Sequence, residues 1–461
     1  MFTRSLGTEA SPTVSFATNA ELRPSSPSRR RNSFAYWALV IFFFLYFYRP
    51  EDVIQVLYVI PVAKISGILA FLGLVVAIGT QGTFKIPKAI KFLLALLVQM
   101  CLTVPFAVWR GGAVDMITNR ISKTVIAAIL VSMVVSTLAE LRRFLWIQTS
   151  AVAVVSVASV LLNHRRDGRL EGVQMGILQN PNDLALNIAI VFPVCIAFML
   201  HARGVRKAIW IIAMMFMLVA VVLTYSRGGL LALLICLSLS LWEYGLKGKR
   251  YYMIGVTVAV LLVGLGIVIF NPSYRLRVES IALGDIEGSH DKGSREARQM
   301  LLKESIVQTF KHPLFGLGPG NFAVVNGSWM VAHNTYTELS AEGGILALVF
   351  FLLALRSAFK NVAMARKSER FQTDPDYRLF TQALFAGLLA YMTGACFAST
   401  EYNLYPFVMI GYTCVLVGLS QPVPDERKAF SKLSFADASQ PRRNGAVETD
   451  KAMMPRSLLK M

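Results

Sequence analysis

Three residues of this chain have the types that handling a large anion beside a membrane would need, and they lie far apart in sequence. Arg227 sits in T-Y-S-R-G-G, Arg298 in the polar run R-E-A-R-Q, and His333 opens H-N-T-Y-T-E-L-S-A-E-G-G. Arginine offers phosphate a planar fork of donors and keeps its charge at any working pH. Two arginines from separate segments could clamp a pyrophosphate. They would also stabilise the charge that builds on it as a leaving group, which is commonly the largest contribution in such reactions. Histidine titrates near neutrality and can take a proton from a hydroxyl. The bland reading of His333 is a helix-start residue at the membrane interface.

Other residues nearby have competing readings. Glu338 and Glu342 are four apart and share a helix face, where carboxylates inside a membrane are paired or functional. Glu342 precedes Gly343-Gly344 and also reads as a packing partner for an arginine. The run G-L-G-P-G-N-F (316–322) has no following Lys-Ser/Thr and no strand–helix context, so it is not a nucleotide loop. It reads as a turn that lets the backbone approach a ligand or another helix. The glycines after Arg227 read as freeing a tight turn. Glu51-Asp52 is an outer acidic pair, more in keeping with a solvated turn than with a metal or base site, and His312 before Pro313 reads as structural. No clear metal-ligand cluster is seen. The five cysteines fall in apolar runs, which argues against a disulfide framework.

The elements that must position these residues are membrane spans. The chain is 55% hydrophobic and 16% charged, with a mean hydropathy of +0.54, whereas a soluble domain carries about 25% charged residues. The apolar residues come in runs long enough to cross a bilayer. Twelve spans are expected, near 34–48, 55–80, 89–109, 119–139, 142–162, 183–202, 206–224, 228–245, 251–270, 334–358, 378–398 and 402–420. The net charge of +19 raises nucleic acid as a partner. The chain shows no aromatic-basic module for one, and basic residues collect in cytoplasmic loops anyway.

With the N-terminus inside, the basic residues of the inner connections, such as Arg142, Arg143, Lys249, Arg250, Arg366 and Arg378, outnumber those of the outer ones. Residues 1–33 then form a polar, Ser/Pro/Arg-rich cytoplasmic tail and 421–461 a second one. Spans one to nine occupy 34–270, a large periplasmic loop 271–333, and the last three spans 334–420. Within the loop, 294–311 has Met300, Leu301, Ile306, Val307 and Phe310 at roughly helical spacing. Outer arginines run against the charge rule and need a reason. Several read as interface anchors, but Arg227 is well placed to meet a lipid-linked anion.

H-P-L-F-G-L-G-P-G-N-F followed by H-N-T-Y-T-E-L-S-A-E-G-G resembles the signature of the O-antigen ligase and Wzy-type polymerase family of bacterial envelope proteins. T-Y-S-R-G-G and G-I-L-Q-N-P-N-D-L-A (176–185) fit it too, so the resemblance covers about 176 to 355. It implies an all-α, GT-C-like integral membrane protein with about twelve transmembrane helices, in the bacterial inner membrane. The activity implied is that of a metal-independent glycosyltransferase that needs no cofactor. Its donor is a glycan linked to undecaprenyl pyrophosphate, used on the periplasmic face, and membrane lipids surround it. The family's Ser-Arg-Gly arginine matches Arg227 and its large-loop histidine matches His333. Its loop arginine normally follows Ser-Gly with a Trp four residues on. Here Ala297 precedes Arg298 and Leu302 replaces the Trp, so Arg295, after Gly293-Ser294, competes for the role. Arg295, Asn334, Glu342, Gly318 and Asn180 are candidate substrate-binding residues.

The expected reaction is attack of an acceptor hydroxyl, aided by His333, on the anomeric carbon of the donor, with inversion. The acceptor could be lipid A core, a second lipid-linked glycan or a protein hydroxyl. A multi-span solute or lipid transporter is the alternative, against which stand the lack of a convincing repeat and the crowding of polar residues at the outer face.

Overall fold

The computed structural model describes residues 33–52, 62–81, 86–166, 168–174, 176, 178–251, 255 and 290–420. The two tails, the expected ninth span at 251–270 and the first part of the large loop lie outside those residues, 251 and 255 apart. The described residues belong to one unit, Arg30–Gln421. Helices run over Ser33–Tyr48 (α1), Val62–Gln81 (α2), Lys88–Phe106 (α3), Arg110–Val134 (α4), Leu138–Leu161 (α5), Pro181–His201 (α6), Val205–Leu223 (α7) and Arg227–Leu246 (α8). After the undescribed stretch come His290–Lys311 (α9), Thr335–Lys367 (α10), Pro375–Gly394 (α11) and Leu404–Ser420 (α12). Seven of these, α3 to α8 and α10, are long and apolar enough to cross a membrane, and three shorter apolar helices accompany them among the described residues. The protein is a mostly helical, multi-pass membrane protein. It is not wholly helical: Arg165–Arg166 and Arg169–Leu170 pair as a two-stranded antiparallel ribbon between α5 and α6.

α6 is the axis of the bundle. It is almost entirely buried and packs against α5, α7, α8 and α11. Its start is set by Asn180, whose side chain caps the Asn182 amide, and by Pro181 at the first helical position. The helix ends sort into two groups. At one end, Asp376 receives Arg142 at 3.0 Å and His201 at 2.7 Å, and Glu243 holds Arg366 at 3.1 Å. At the other end, Arg169 reaches Asn182 and the Thr224 carbonyl, both at 2.8 Å. A helix of α6's length separates such groups by about 30 Å. Arg142 and Arg366, both assigned to inner connections, therefore share one end, and Arg169 with the turn before Arg227 lies at the other.

α10 is broken inside the bundle. Gly344 has φ 78° and ψ 173°, a region essentially reserved for glycine. The break releases carbonyls that a continuous helix would use, and the run after α9 takes them up. Leu317 N donates to Ala341 O and Gly318 N to Glu342 O, each at 2.9 Å, while Ile345 N donates to Pro313 O at 2.8 Å. Gln99 of α3 closes the joint, donating to Leu314 O at 2.8 Å and to Gly343 O at 3.0 Å. Non-helical backbone at membrane depth is tolerated only where protein satisfies it in this way.

α9 covers the stretch expected to be helical, and of the apolar residues named for it Leu301 is buried. Leu301, Ser305 and Thr309, four apart, face inward, and Thr309 meets Ser340 of α10 at 2.8 Å. Met300, Val307 and Phe310 are exposed.

Gly344→Ala is expected to destabilise the protein by about 1–3 kcal/mol. Its Cβ would sit 2.4 Å from the Leu314 carbonyl oxygen in a backbone region closed to alanine. The midpoint of thermal unfolding of the detergent-purified protein measures this, and an unchanged midpoint would argue against the break.

Candidate functional site

His333 stands just before α10 with a left-handed backbone, φ 55°, a conformation histidine tolerates better than bulkier residues. Its neighbours hold it there. Asn334 caps α10, accepting from Tyr336 N at 3.0 Å and Thr337 N at 3.1 Å, and donates to Cys396 O at 3.2 Å. On the other side, Ala332 N donates to Glu338 Oε2 at 2.9 Å, and Ser399 donates to the same oxygen. Thr335 ties the start of α10 to the 395–400 segment through Ala395 O and Ala398 O.

The electrostatic surroundings of His333 are cationic. Burial lowers its pKa first, and the charges of Arg298 and Arg169 lower it further, to about 4 from 6.5. Arg298, on α9, is one of the charges that act on His333. Arg169 was not expected. It comes from the short ribbon, and its guanidinium is oriented by Asn182 at the start of α6 and by Thr224, three residues before Arg227. The sequence does carry a signal for it, an arginine in an outer connection that the charge rule disfavours.

Arg227 is exposed at the first position of α8, behind the N-cap Ser226, whose hydroxyl accepts from Gly229 N. The positive φ of this turn belongs to Tyr225, at 51°. Gly228 and Gly229 instead let α8 approach its neighbours: a Cβ on Gly228 would lie 2.4 Å from Phe397, and one on Gly229 2.3 Å from Ala185. Phe397 adjoins Cys396, the hydrogen-bond partner of Asn334. A chain of contacts therefore runs from the Arg227 turn to His333. Arg295 lies on α9 one turn before Arg298, and its side chain is outside the described residues.

The remaining expected contacts sit deeper. Glu342 is buried. Its Oε2 accepts from Gly320 N at 2.8 Å and from Tyr402, and its Oε1 accepts from Phe322 N at 3.0 Å. Its partners are the backbone of the Gly-rich turn and a tyrosine, not an arginine. Gly318, with φ 94°, lies in that turn, and a Cβ there would sit 2.4 Å from Ala107, the residue just after α3, so the close approach is to the end of another helix. Asn180 is the N-cap of α6. Asp52 pairs with Arg49 at 3.0 and 3.2 Å, which makes the outer acidic pair part of a corner. Between α11 and α12 the sequence reading missed a third acid. Burial, and then the charges of Glu338 and Glu342, push the Glu401 carboxyl well above the usual carboxylate range. Among the described residues, no group of three or more His, Cys, Asp or Glu is placed to hold a metal ion.

Residues 212–352 match the family model Wzy_C, O-antigen ligase. Over that segment the chain is similar to the O-antigen ligase family. The match spans Arg227, Arg298 and His333, and it supports a membrane glycosyltransferase-like role in envelope polysaccharide assembly. Comparison with curated proteins gives no match. A solved chain described as "Structural coordination of polymerization and crosslinking by a peptidoglycan synthase complex" is similar over 72% of this chain and 94% of its own. Its identity is 15% and its TM-score 0.39, too distant a likeness to carry an argument.

The lowered pKa fixes a pH dependence. In the unfolded chain the imidazole takes up a proton near pH 6.5, whereas in the folded protein it resists until about pH 4. Stability should therefore fall as pH drops from 6.5 toward 4 and level off below, because the unfolded state binds the extra proton. His333→Gln should flatten this part of the stability–pH curve, as read by denaturant unfolding across that range. An unaltered slope would show that His333 is not held neutral.

Proposed function

We propose that this protein transfers a glycan from undecaprenyl pyrophosphate to an acceptor hydroxyl at the periplasmic face of the inner membrane. On this reading it has about twelve spans and a GT-C-like arrangement. The observation that supports it most is the convergence of Arg298 and Arg169, from separate segments, on a half-buried neutral histidine.

In this mechanism the donor pyrophosphate lies against Arg298, Arg169 and Arg227. The acceptor oxygen loses its proton to His333 and bonds to the anomeric carbon as the bond from that carbon to the pyrophosphate oxygen breaks. The electron pair leaves on the pyrophosphate, where fixed guanidinium charge stabilises it. A single displacement inverts the anomeric centre, and arginine charge stands where a metal would otherwise act. The arginines also couple binding to basicity. They hold His333 neutral but weakly basic in the free protein. A bound pyrophosphate cancels their field and raises the basicity of His333 when the donor is present. Glu338, Asn334 and Glu342 position the loop and do not touch the reacting atoms.

His333→Ala, Arg227→Ala and Arg298→Ala should each lower transfer by about 10²-fold or more at normal protein levels, and Arg169→Ala should do the same. Arg295→Ala should leave transfer within a few fold. Transfer of lipid-linked glycan by membranes carrying each variant is the measurement. Full activity in both His333→Ala and Arg298→Ala would sink the mechanism. The acceptor is read from glycans after deletion. Lost chain elongation identifies a polymerase, unattached full-length lipid-linked polymer identifies a ligase or protein transferase, and no change contradicts the proposal.

A further inference from the structure

The end of the bundle away from His333 holds a cavity of about 440 Å³, within the roughly 300–1,000 Å³ range of small-ligand sites. It is formed where the end of α8 meets the later part of α10 and the start of α11. Its walls carry five cations, Lys247, Lys249, Arg250, Arg366 and Arg378, against one acid, Glu243.

That acid is already engaged. Glu243 is buried; its Oε1 accepts from Arg366 at 3.1 Å and Lys247 at 3.4 Å, and its Oε2 accepts from Gln382 at 3.1 Å. Among the described residues, no carboxylate pairs with Lys249, Arg250 or Arg378. The Arg366 guanidinium lies over the Phe385 ring at 4.1 Å. Its Nε and Nη2 are buried and have no hydrogen-bond partner among the described residues. Buried donors left unmade are costly, and each calls for an acceptor.

A gathering of basic residues at the inner end of a membrane protein is ordinary. That rule accounts for the number of charges. It does not account for a cavity lined by five cations whose one acid is already engaged. A ligand that suits these cations is small, anionic and rich in acceptors, which describes a phosphate group. Trp242 is exposed at this level, with Lys247 5.5 Å from its ring. Exposed tryptophan marks the depth of lipid headgroups, and basic clefts between helices at that depth suit anionic ones.

We propose that this cavity binds a phosphate-bearing anion, the headgroup of an anionic phospholipid, through Arg366, Arg378, Arg250 and Lys249. The site is separate from the transfer chemistry and does not depend on it.

The test uses the purified full chain in a zwitterionic detergent, with its thermal unfolding midpoint followed against added phosphatidylglycerol, phosphatidylcholine or inorganic phosphate. Phosphatidylglycerol should raise the midpoint saturably and phosphatidylcholine should not. Arg378→Gln, and separately Lys249→Gln with Arg250→Gln, should raise the half-saturating lipid concentration roughly tenfold. These side chains are half-buried or exposed, so the variants should fold. A saturable response to inorganic phosphate that these variants weaken, with none to the lipid, would overturn the lipid assignment while upholding the anion site. Identical curves for wild type and variants, or no response to either anion, would overturn the site itself.

Discussion

The break in α10 at Gly343-Gly344 is the constraint on which the rest of the outer face depends. A helix interrupted in a membrane must have its freed carbonyls met by protein, and here the H-P-L-F-G-L-G run meets them. The Glu342 carboxylate then reaches out from the same break to hold the amides of Gly320 and Phe322. The two most conspicuous motifs of the chain, the Gly-rich run and the E-G-G at the end of the histidine motif, are thus two halves of one joint. Removing the carboxylate would strand buried amides, a loss larger than that of any surface contact.

The joint matters because of what it carries. α9 enters it and His333 leaves it, so it sets the distance between Arg298 and the imidazole. Two further supports converge from elsewhere. The 395–400 segment pins Asn334 and Thr335, and the ribbon after α5 delivers Arg169 against Thr224, close to Arg227. The cationic surroundings of His333 are therefore assembled by several separate segments.

Much of this was legible in the sequence, for reasons that differ by element. Long apolar runs are unambiguous, so the described helices fall where hydropathy expected them. The charge bias correctly grouped Arg142, Arg366 and Arg378 at one end. His333 and Arg298 are candidates by residue type, spacing and the resemblance, and the structure adds that the charge of Arg298 acts on His333. Arg169 was visible only as a breach of the charge rule, since no spacing links it to the loop. The partners of Glu342 were out of reach because they are backbone amides, and backbone carries no residue signature. The glycines after Arg227 were misread because a turn glycine and a packing glycine look alike until the neighbouring helix is seen.

The central claim is that His333 is a base whose strength is set by the neighbouring arginines and restored by the pyrophosphate they hold. Its most direct test is the imidazole titration of specifically labelled histidine by NMR in the detergent-solubilised protein, with and without saturating pyrophosphate. The account predicts a His333 pKa near 4 in the free protein that rises when pyrophosphate is added, with the rise lost in Arg298→Ala. A His333 pKa at its ordinary value, or one that pyrophosphate leaves unmoved, would contradict it.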